Sequence, residues 1–359
     1  MARYLITGGA GFIGVNAARY YAKRGHGVTL LDNFSRRGTR QNAEWIRADF
    51  PDVRVVEADV RTDKEVLAAE AAQCDVVLHL AAQVAVTLSV SDPRTDFDIN
   101  ARGTLNVLEA ARQAKNPPIV LYTSTNKVYG GMEDAEVTET AGCYGYRGLP
   151  NGVSEEQPLD FHSPYGCSKG AADQYVRDYA RIYGLRTIVF RQSCIYGAHQ
   201  FGIEDQGWVA WFTMRTLFGL PVTIYGDGKQ VRDVLCVDDL VIAFDKAIES
   251  ISKTTGKIYN IGGGPTYTLS LLELIKLLEK LGGTKMKYSF GDWRAGDQRV
   301  YISDVRKADR DFGWRPTTPP ESGVAVMRDW MAKHQEGIRR VYAPCGETGG
   351  PNQSSNPLE

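Results

Sequence analysis

The chain has 359 residues, of which 43% are hydrophobic and 24% are charged, and its formal net charge is −1. This length allows two domains or one domain with a large lobe, and the composition is that of an ordinary globular protein. The near-neutral charge, together with the lack of a polybasic block or a long apolar run, argues against nucleic acid or a membrane as a partner.

The first predicted elements are a strand, a glycine-rich turn, a helix and a second strand. Residues 3–7 are an apolar run, the turn spans 8–14, residues 15–22 are typical of a helix, and the strand at 28–31 ends at Asp32. This order predicts a dinucleotide site, because the glycines let backbone amides approach a pyrophosphate at the positive end of the helix. We expect Asp32 to accept a hydrogen bond from a ribose hydroxyl and to favour NAD over NADP.

Strand and helix patterns alternate through the first half of the chain. Strand-like runs occupy residues 53–56, 76–80 and 118–122, and a helix pattern covers residues 103–111. This alternation predicts an α/β fold with a doubly wound, Rossmann-type parallel sheet. Ligands bind such sheets at the carboxyl ends of the strands, where polar residues follow several of these runs.

The second half of the chain is less regular. Residues 131–162 are rich in Gly, Tyr, Pro and Asn, which predicts an irregular loop over a site. We expect an NAD-binding Rossmann domain, a smaller α/β lobe that binds a nucleotide sugar, and a disordered tail, with these boundaries: 1–191 and 229–262 for the domain, 192–228 and 263–342 for the lobe, and 343–359 for the tail.

A tyrosine and a lysine, Tyr165 and Lys169, stand four residues apart at the start of a predicted helix. Side chains at i and i+4 lie one above the other, which would put the ammonium beside the phenol. A nearby cation favours phenolate, so we expect Lys169, with one more positive charge, to lower the pKa of Tyr165. The phenolate could then take a proton from an alcohol. An exposed pair on a helix surface is the alternative.

Short motifs are distributed over residues 3–335. They are residues 7–14, 59–61, 79–82, 100–104 and 128–130, the Tyr165/Lys169 pair, and residues 226–233, 259–262 and 313–316. Together they resemble the extended short-chain dehydrogenase/reductase superfamily, and within it the nucleotide-sugar epimerases and dehydratases. The family has a Rossmann fold and uses NAD, so the resemblance implies the same cofactor here.

The resemblance also implies which residues bind each ligand. NAD would be held by Gly8, Gly11, Phe12, Ile13, Gly14, Asp32, Asn33, Asp59, Val60, Leu80, Ala81, Ala82, Asn100, Thr123, Tyr165 and Lys169. The sugar nucleotide would contact Gln83, Thr125, Asn126, Cys194, Gln206, Arg232 and Arg294. Within this set, the two arginines would grip the diphosphate, a task suited to guanidinium groups. Cys194 stands where many members of the family carry asparagine.

A short segment that begins at Thr125 distinguishes the possible reactions. By the resemblance, Thr125 completes the catalytic set with Tyr165 and Lys169. Sugar-nucleotide 4,6-dehydratases follow this threonine with Asp-Glu, an acid and a base that remove water. This chain has Asn126 and Lys127 instead. Because an amide neither gives nor takes a proton at neutral pH, we expect the redox step without elimination.

Four segments are most similar to the CDP-paratose (CDP-tyvelose) 2-epimerases, namely residues 126–127, 160–175, 190–197 and 205–208. This implies an isomerase that inverts C2 of CDP-paratose through a transient 2-keto sugar, with tightly bound NAD regenerated in each cycle. An alternative function is that of a UDP-hexose 4-epimerase with the same catalytic residues, because no residue fixes which carbon is oxidised. A non-catalytic NAD-binding regulator is a third alternative.

Three further expectations concern assembly, metals and location. The resemblance implies a homodimer or homotetramer. The six cysteines are scattered without paired ligand spacing, so we expect reduced thiols and no metal. The chain opens directly with a strand, from which we expect no signal peptide and a cytoplasmic location.

Overall fold

A computed structural model of the chain describes residues 1–140, 142–294 and 297–342. The predicted tail, 343–359, lies outside the described residues. The strands are β1 Arg3–Thr7, β2 Gly27–Asp32, β3 Arg54–Glu57, β4 Val76–His79, β5 Ile119–Thr125, β6 Val137–Thr140, β7 Cys143–Tyr146, β8 Thr187–Gln192, β9 Cys194–Tyr196, β10 Val222–Tyr225, β11 Val231–Cys236, β12 Lys257–Ile261, β13 Thr268–Ser270, β14 Tyr288–Gly291 and β15 Val300–Tyr301.

Helices cover both faces of the central sheet and much of the remaining structure. They are α1 Phe12–Lys23, α2 Thr39–Asp49, α3 Lys64–Ala71, α4 Val86–Ser91, α5 Pro93–Phe97, α6 Gly103–Gln113, α7 Ser163–Tyr183, α8 Trp208–Leu217, α9 Val237–Glu249, α10 Ile251–Thr254, α11 Leu271–Gly282, α12 Arg306–Phe312, α13 Pro320–Lys333 and α14 Gln335–Tyr342. A π-helical turn, Asp98–Arg102, precedes α6, and a 3₁₀ turn, Asn126–Tyr129, follows β5. Among the described residues, none of these helices is both long and apolar enough to cross a membrane.

Seven strands form the central sheet in the order β3-β2-β1-β4-β5-β8-β12, and all neighbours are parallel. The order reverses between β1 and β4, and in open α/β sheets such a point leaves a crevice at the carboxyl ends of the strands. The Rossmann-type α/β fold predicted from the sequence is confirmed.

Alternation along the strands fills both faces of the sheet. On β1, Tyr4 and Ile6 belong to the apolar cluster under α1 and α9, whereas Leu5 belongs to the cluster under α3, α6 and α7. Side chains with a period of two point to opposite faces of a strand, so a continuous apolar run buries both. This packing on both faces holds the strands in place, and with them the polar residues that follow their carboxyl ends.

A second group of elements packs beyond the carboxyl edge of the sheet. Strand β11 pairs with β13, β15 and β9, strand β10 pairs with β14, and α8, α11 and α13 share a separate apolar cluster. Helix α11 begins with a capping box in which Ser270 and Glu273 satisfy each other's backbone amides. Where the sequence predicted an irregular segment, β6 and β7 form an antiparallel hairpin with Val137 opposite Tyr146. The expectation of an irregular segment throughout 131–162 is therefore wrong, because Val and Thr in β6 and Tyr in β7 favour pairing despite the nearby glycines.

A buried ion pair ties α7 to the sheet. Arg191 on β8 donates through two nitrogens to the carboxylate of Asp173 on α7, at 2.9 Å each, and the side chains are 3% and 0% exposed. The remaining guanidinium nitrogen donates to the Tyr129 hydroxyl at 3.0 Å, and that hydroxyl donates to the Asn260 side chain at 2.7 Å. Every polar atom of the pair thus has a partner, which a buried charge requires.

We expect replacement of Asp173 by Asn to lower the free energy of unfolding by about 3–5 kcal/mol, because it leaves the Arg191 charge buried without its counter-ion. Urea unfolding monitored by circular dichroism measures the change. The matched control is Asp178→Asn, on an exposed position of the same helix, which should alter stability by less than about 0.5 kcal/mol. A loss of unfolding free energy below about 1 kcal/mol for Asp173→Asn would contradict the structural role of the buried Arg191–Asp173 ion pair.

Candidate active site

The glycine turn brings the start of α1 close to the ends of β1 and β4. Gly8 has a φ of +65°, and a Cβ there would lie 2.7 Å from the Ala81 nitrogen. Helix α1 begins after Gly11, which provides no side-chain cap, and its first turn contains no acidic residue. The positive end of the helix is therefore open toward the crevice, an arrangement that suits a diphosphate.

A cavity follows the carboxyl ends of the strands on the α1 side of the sheet. Most of the residues predicted to bind NAD line it, namely Gly8, Gly11, Phe12, Ile13, Gly14, Asp32, Asn33, Asp59, Val60, Leu80, Ala81 and Ala82. Gln206, predicted to contact the substrate, also lines it. The other residues predicted for NAD, Asn100, Thr123, Tyr165 and Lys169, lie beyond this lining, on β5, α7 and the π-helical turn. The cavity thus combines glycine backbone, an acidic strand end and an apolar wall, which fits a dinucleotide.

The acidic strand ends are held in place by hydrogen bonds. The Asp32 carboxylate accepts from the backbone amides of Ala10 at 3.1 Å and Phe34 at 2.9 Å. Burial raises the pKa of Asp32, and the two amides oppose that rise. Burial would also raise the pKa of Asp59, but hydrogen bonds, chiefly from Arg61, hold it at about 2. Both carboxylates are therefore oriented before any ligand binds.

Tyr165 lies in the first turn of α7 and is 8% exposed. Burial raises the pKa of Tyr165 to about 12, although a hydrogen bond with Thr125 lowers it. Thr125 ends β5, and Tyr165 faces it from α7, so the structure brings these two predicted catalytic hydroxyls together. An oxygen bound to both could be hydrogen-bonded while it changes between alcohol and ketone.

Lys169 is buried one helical turn after Tyr165, and its ammonium donates to the Thr123 carbonyl at 2.6 Å. The same nitrogen lies 4.3 Å from the centroid of the Tyr122 ring. Burial lowers the pKa of Lys169 to about 7, although Asp173 and Asp96 attract the proton. The expectation that Lys169 lowers the pKa of Tyr165 is wrong for the chain by itself. Burial is the largest cause of the rise in the Tyr165 pKa, and the Lys169 ammonium is directed to the Thr123 carbonyl.

Asp96 is a buried carboxylate in this site that the sequence analysis missed. It accepts from the Gln83 amide at 2.9 Å, from the Asn100 amide at 3.2 Å and from the Ser168 hydroxyl of α7. The side-chain oxygen of Asn100, Oδ1, in turn accepts from the Gln83 backbone amide at 3.0 Å. Asp96 therefore positions a residue predicted for the substrate and one predicted for NAD. The spacing of four between Asp96 and Asn100 is the one signal that could have indicated it.

His79 is held between two threonines beneath the cavity. Its Nε2 lies 2.9 Å from the Thr104 hydroxyl, which donates its own proton to the Asn100 carbonyl, and its Nδ1 lies 2.7 Å from the Thr7 hydroxyl. Nε2 must then carry the proton, and Nδ1 accepts from Thr7. Burial lowers the pKa of His79 to about 3, so the ring stays neutral. His79 supports the strand ends and has no proton to exchange with a substrate.

The residues predicted for the substrate fall into two groups. Asn126 follows Thr125, and Cys194 on β9 lies opposite Val234 of β11, the strand that also carries Arg232. Burial raises the pKa of the Cys194 thiol, which therefore resists becoming a nucleophile.

The second group lies along residues 204–206. The Gln206 side chain accepts from Arg36, a residue of the cavity wall that the sequence analysis did not assign to a ligand. Arg294 pairs with Asp205 at 3.0 Å, donates to the Glu204 carbonyl at 3.3 Å and stacks on the Tyr225 ring at 3.8 Å.

The fold and the site together define a class of protein. A doubly wound parallel sheet, an open helix end after a glycine turn and a buried Thr125, Tyr165 and Lys169 set are the marks of an extended short-chain dehydrogenase/reductase. Within the described ranges, no group of three or more His, Cys, Asp or Glu side chains could hold a metal ion.

Comparison with known proteins agrees with this class. The pattern of the NAD dependent epimerase/dehydratase family matches residues 4–262. CDP-paratose 2-epimerase of Salmonella typhi is 44% identical over 336 residues, which are 92% of this chain and 99% of that protein. UDP-glucose 4-epimerase of Thermotoga maritima with UDP-glucose superposes with a TM-score of 0.79 and 31% identity, covering 93% of this chain and 99% of that chain. The NAD complex of UDP-glucose 4-epimerase from Thermus thermophilus superposes with a TM-score of 0.77 and 31% identity. This match covers 92% of this chain and 99% of that chain.

This chain belongs to the NAD dependent epimerase/dehydratase family. NAD is therefore its cofactor, and a nucleotide sugar is its class of substrate. The family and the cofactor predicted from the sequence are confirmed.

We expect replacement of Gly14 by Ala to lower the amount of NAD that co-purifies with the protein by about ten-fold or more. A Cβ at this position would lie 2.6 Å from the Gly8 carbonyl oxygen, so α1 would have to move away from the turn. The control is Gly27→Ala, where the nearest atom, on the Arg3 side chain, is 3.5 Å away. Chromatography of the cofactor released by denaturation measures the content. Full NAD content in the Gly14 variant would contradict the assignment of this turn to the cofactor.

Proposed function

We propose that this protein is an NAD-dependent epimerase that inverts C2 of CDP-paratose to give CDP-tyvelose through a 2-keto sugar. The observation that carries the proposal is the arrangement of Thr125 against Tyr165, with Asn126 and Lys127 where dehydratases carry an acid and a base. The 44% identity to the Salmonella typhi CDP-paratose 2-epimerase supports the choice of substrate.

The residues of the cavity wall fit the cofactor. The open start of α1 at Gly11 would hold the diphosphate, and Asp32 would accept from a ribose hydroxyl. Asn100 and Thr123 would lie at the nicotinamide end, near Lys169. When bound, NAD accepts a hydride and gives it back, and its oxidised ring carries a positive charge.

The chain's own residues supply the acid–base chemistry and the orientation. Tyr165, as phenolate, takes the proton of the C2 hydroxyl, and the Thr125 hydroxyl holds the same oxygen as it becomes a ketone. The sugar then presents its opposite face while the nucleotide stays anchored. Tyr165 returns the proton when C2 is reduced, so the product differs from the substrate only in the configuration at that carbon.

The burial of Tyr165 adds a condition to this cycle. Because the pKa of Tyr165 is about 12 in the chain alone, the phenol does not act as a base at neutral pH without a further cation. Arg36 is a cation of the cavity wall whose charge favours the phenolate. The positive ring of the oxidised cofactor is the additional charge that the proposal requires.

Elimination of water is disfavoured in this site. Asn126 is buried beside Thr125, whose hydroxyl donates to the side-chain oxygen of Asn126, Oδ1, at 3.4 Å. An amide at this position neither protonates a leaving hydroxyl nor removes a carbon-bound proton. The 2-keto sugar is therefore reduced again, which leaves inversion as the net reaction.

The second candidate is a UDP-hexose 4-epimerase. The similarity to UDP-glucose 4-epimerase of Thermotoga maritima favours it, at 31% identity over 93% of this chain. It would use Thr125, Tyr165 and Lys169 in the same roles and differ only in the carbon that faces the cofactor. The higher identity to the CDP-paratose enzyme places the 2-epimerase first.

A homodimer through α6 and α7 is part of the proposal. On these two helices, Tyr175 is 50% and Ile182 is 66% exposed, whereas Leu108 and Tyr179 are buried. Two large apolar side chains on the outer face of α7 would be covered by the same helix of a second copy. The cytoplasmic location stays a prediction from the sequence.

We expect the purified protein, without added NAD, to convert CDP-paratose into CDP-tyvelose, and the Tyr165→Phe variant to be slower by a factor of about 10² to 10⁴. Proton NMR of the product gives the configuration at C2. The control is Tyr288→Phe, a half-exposed tyrosine of β14, which should keep the parent rate. UDP-glucose is assayed in parallel. Full turnover by the Tyr165 variant, or conversion of UDP-glucose alone, would contradict the proposal.

A further inference from the structure

Lys127 is a largely enclosed lysine that the proposed reaction has not yet used. It lies in the 3₁₀ turn after β5, where the Thr125 hydroxyl accepts from its backbone amide at 3.2 Å. Among the described residues, its ammonium has one hydrogen-bond partner, the Gln298 side-chain oxygen, at the long distance of 3.4 Å. An ammonium has three protons to donate, so this side chain has unused capacity next to the catalytic threonine.

The charges around Lys127 do not balance. Burial, and after it repulsion from Arg232, lowers the pKa of Lys127 to about 8, whereas Asp297 and Cys194 oppose this shift. The Arg232 guanidinium donates to the Val231 carbonyl at 2.9 Å and makes no ion pair with any described residue. Two cations therefore face the same space with one exposed carboxylate, Asp297, nearby. Such an excess of positive charge is what an anionic ligand neutralises.

Arg294 differs from Arg232 in this respect. Its guanidinium is already paired with Asp205 at 3.0 Å and stacked on Tyr225 at 3.8 Å. A cation whose charge is compensated within the protein gains less from a phosphate than one that lacks a counter-ion. Of the two arginines that the resemblance assigned to the diphosphate, the structure therefore leaves Arg232 with an unbalanced charge, beside Lys127.

We propose that Lys127 binds the sugar-linked phosphate of the substrate, with Arg232 beside it on the diphosphate. This inference rests on the proposed function, because it takes a nucleotide sugar as the substrate. The Lys127 backbone amide donates to the Thr125 hydroxyl, so this residue stands at the sugar end of the site and is assigned the phosphate nearer the sugar. Two cations match the two charges of the bridge, and an ammonium serves well as a point charge for phosphate. Lys127 thereby fixes the anomeric end of the sugar while the ring turns.

The test compares CDP with CMP, since the terminal phosphate of CDP corresponds to the sugar-linked phosphate. Isothermal titration of the NAD-bound protein should show that Lys127→Met weakens CDP binding by about ten-fold or more and leaves CMP binding unchanged. Lys127→Arg, which keeps the charge, should bind CDP within about three-fold of the parent. The control is Lys229→Met, which removes a surface cation paired with Glu139 and should not alter CDP binding.

The outcomes separate this inference from the proposed function. Unchanged CDP binding by Lys127→Met, or an equal loss for CDP and CMP, overturns the role of Lys127 even where the parent converts CDP-paratose. A parent that neither binds CDP nor converts a CDP-sugar overturns both. Bound NAD and thermal stability check the fold of each variant. We expect Lys127→Met to be at least as stable as the parent without substrate, because it removes a poorly solvated charge.

Discussion

The phenol of Tyr165 lies buried at the carboxyl edge of the central sheet, and the chemistry of the site follows from that burial. Removal from water raises the pKa of Tyr165 to about 12 and lowers the pKa of Lys169 to about 7. Each shift disfavours the charged form of its group. The pair therefore does not form a phenolate by proximity alone, and the proposed cycle assigns the missing positive charge to the oxidised cofactor.

Polar groups around Tyr165 and Lys169 hold the two side chains in position through hydrogen bonds. Asp96, on α5, connects α7 to the π-helical turn through Ser168 and Asn100, and the Thr123 carbonyl accepts from the Lys169 ammonium. Within this frame, the Tyr165 hydroxyl faces Thr125, which lowers the pKa of Tyr165 and so opposes the effect of burial. A substrate oxygen that joins these two hydroxyls would enter a site whose geometry is already set, which is how positioned acid–base groups are effective.

Much of this structure could be predicted from the sequence, because the informative patterns are local. The glycine turn, the alternating strands and the spacing of four in Tyr165 and Lys169 each depend on neighbours along the chain. For Asp96 the one local signal is its spacing of four from Asn100, because its other partners include Ser168, 72 residues away. The direction of the Tyr165 pKa was missed for a related reason: spacing indicates which groups are close, whereas burial depends on the whole fold. The excess charge at Lys127 likewise arises only where β11 meets the turn after β5.

The central claim is that the charge of the cofactor, and not the chain alone, makes Tyr165 a base. Carbon-13 NMR of protein labelled at the tyrosine Cζ position measures this, with the Tyr165 signal identified by its loss in the Tyr165→Phe variant. The account predicts that Tyr165 titrates at a pH lower by about one unit or more when the bound cofactor is oxidised than when it is reduced. The same pKa in both states would contradict it.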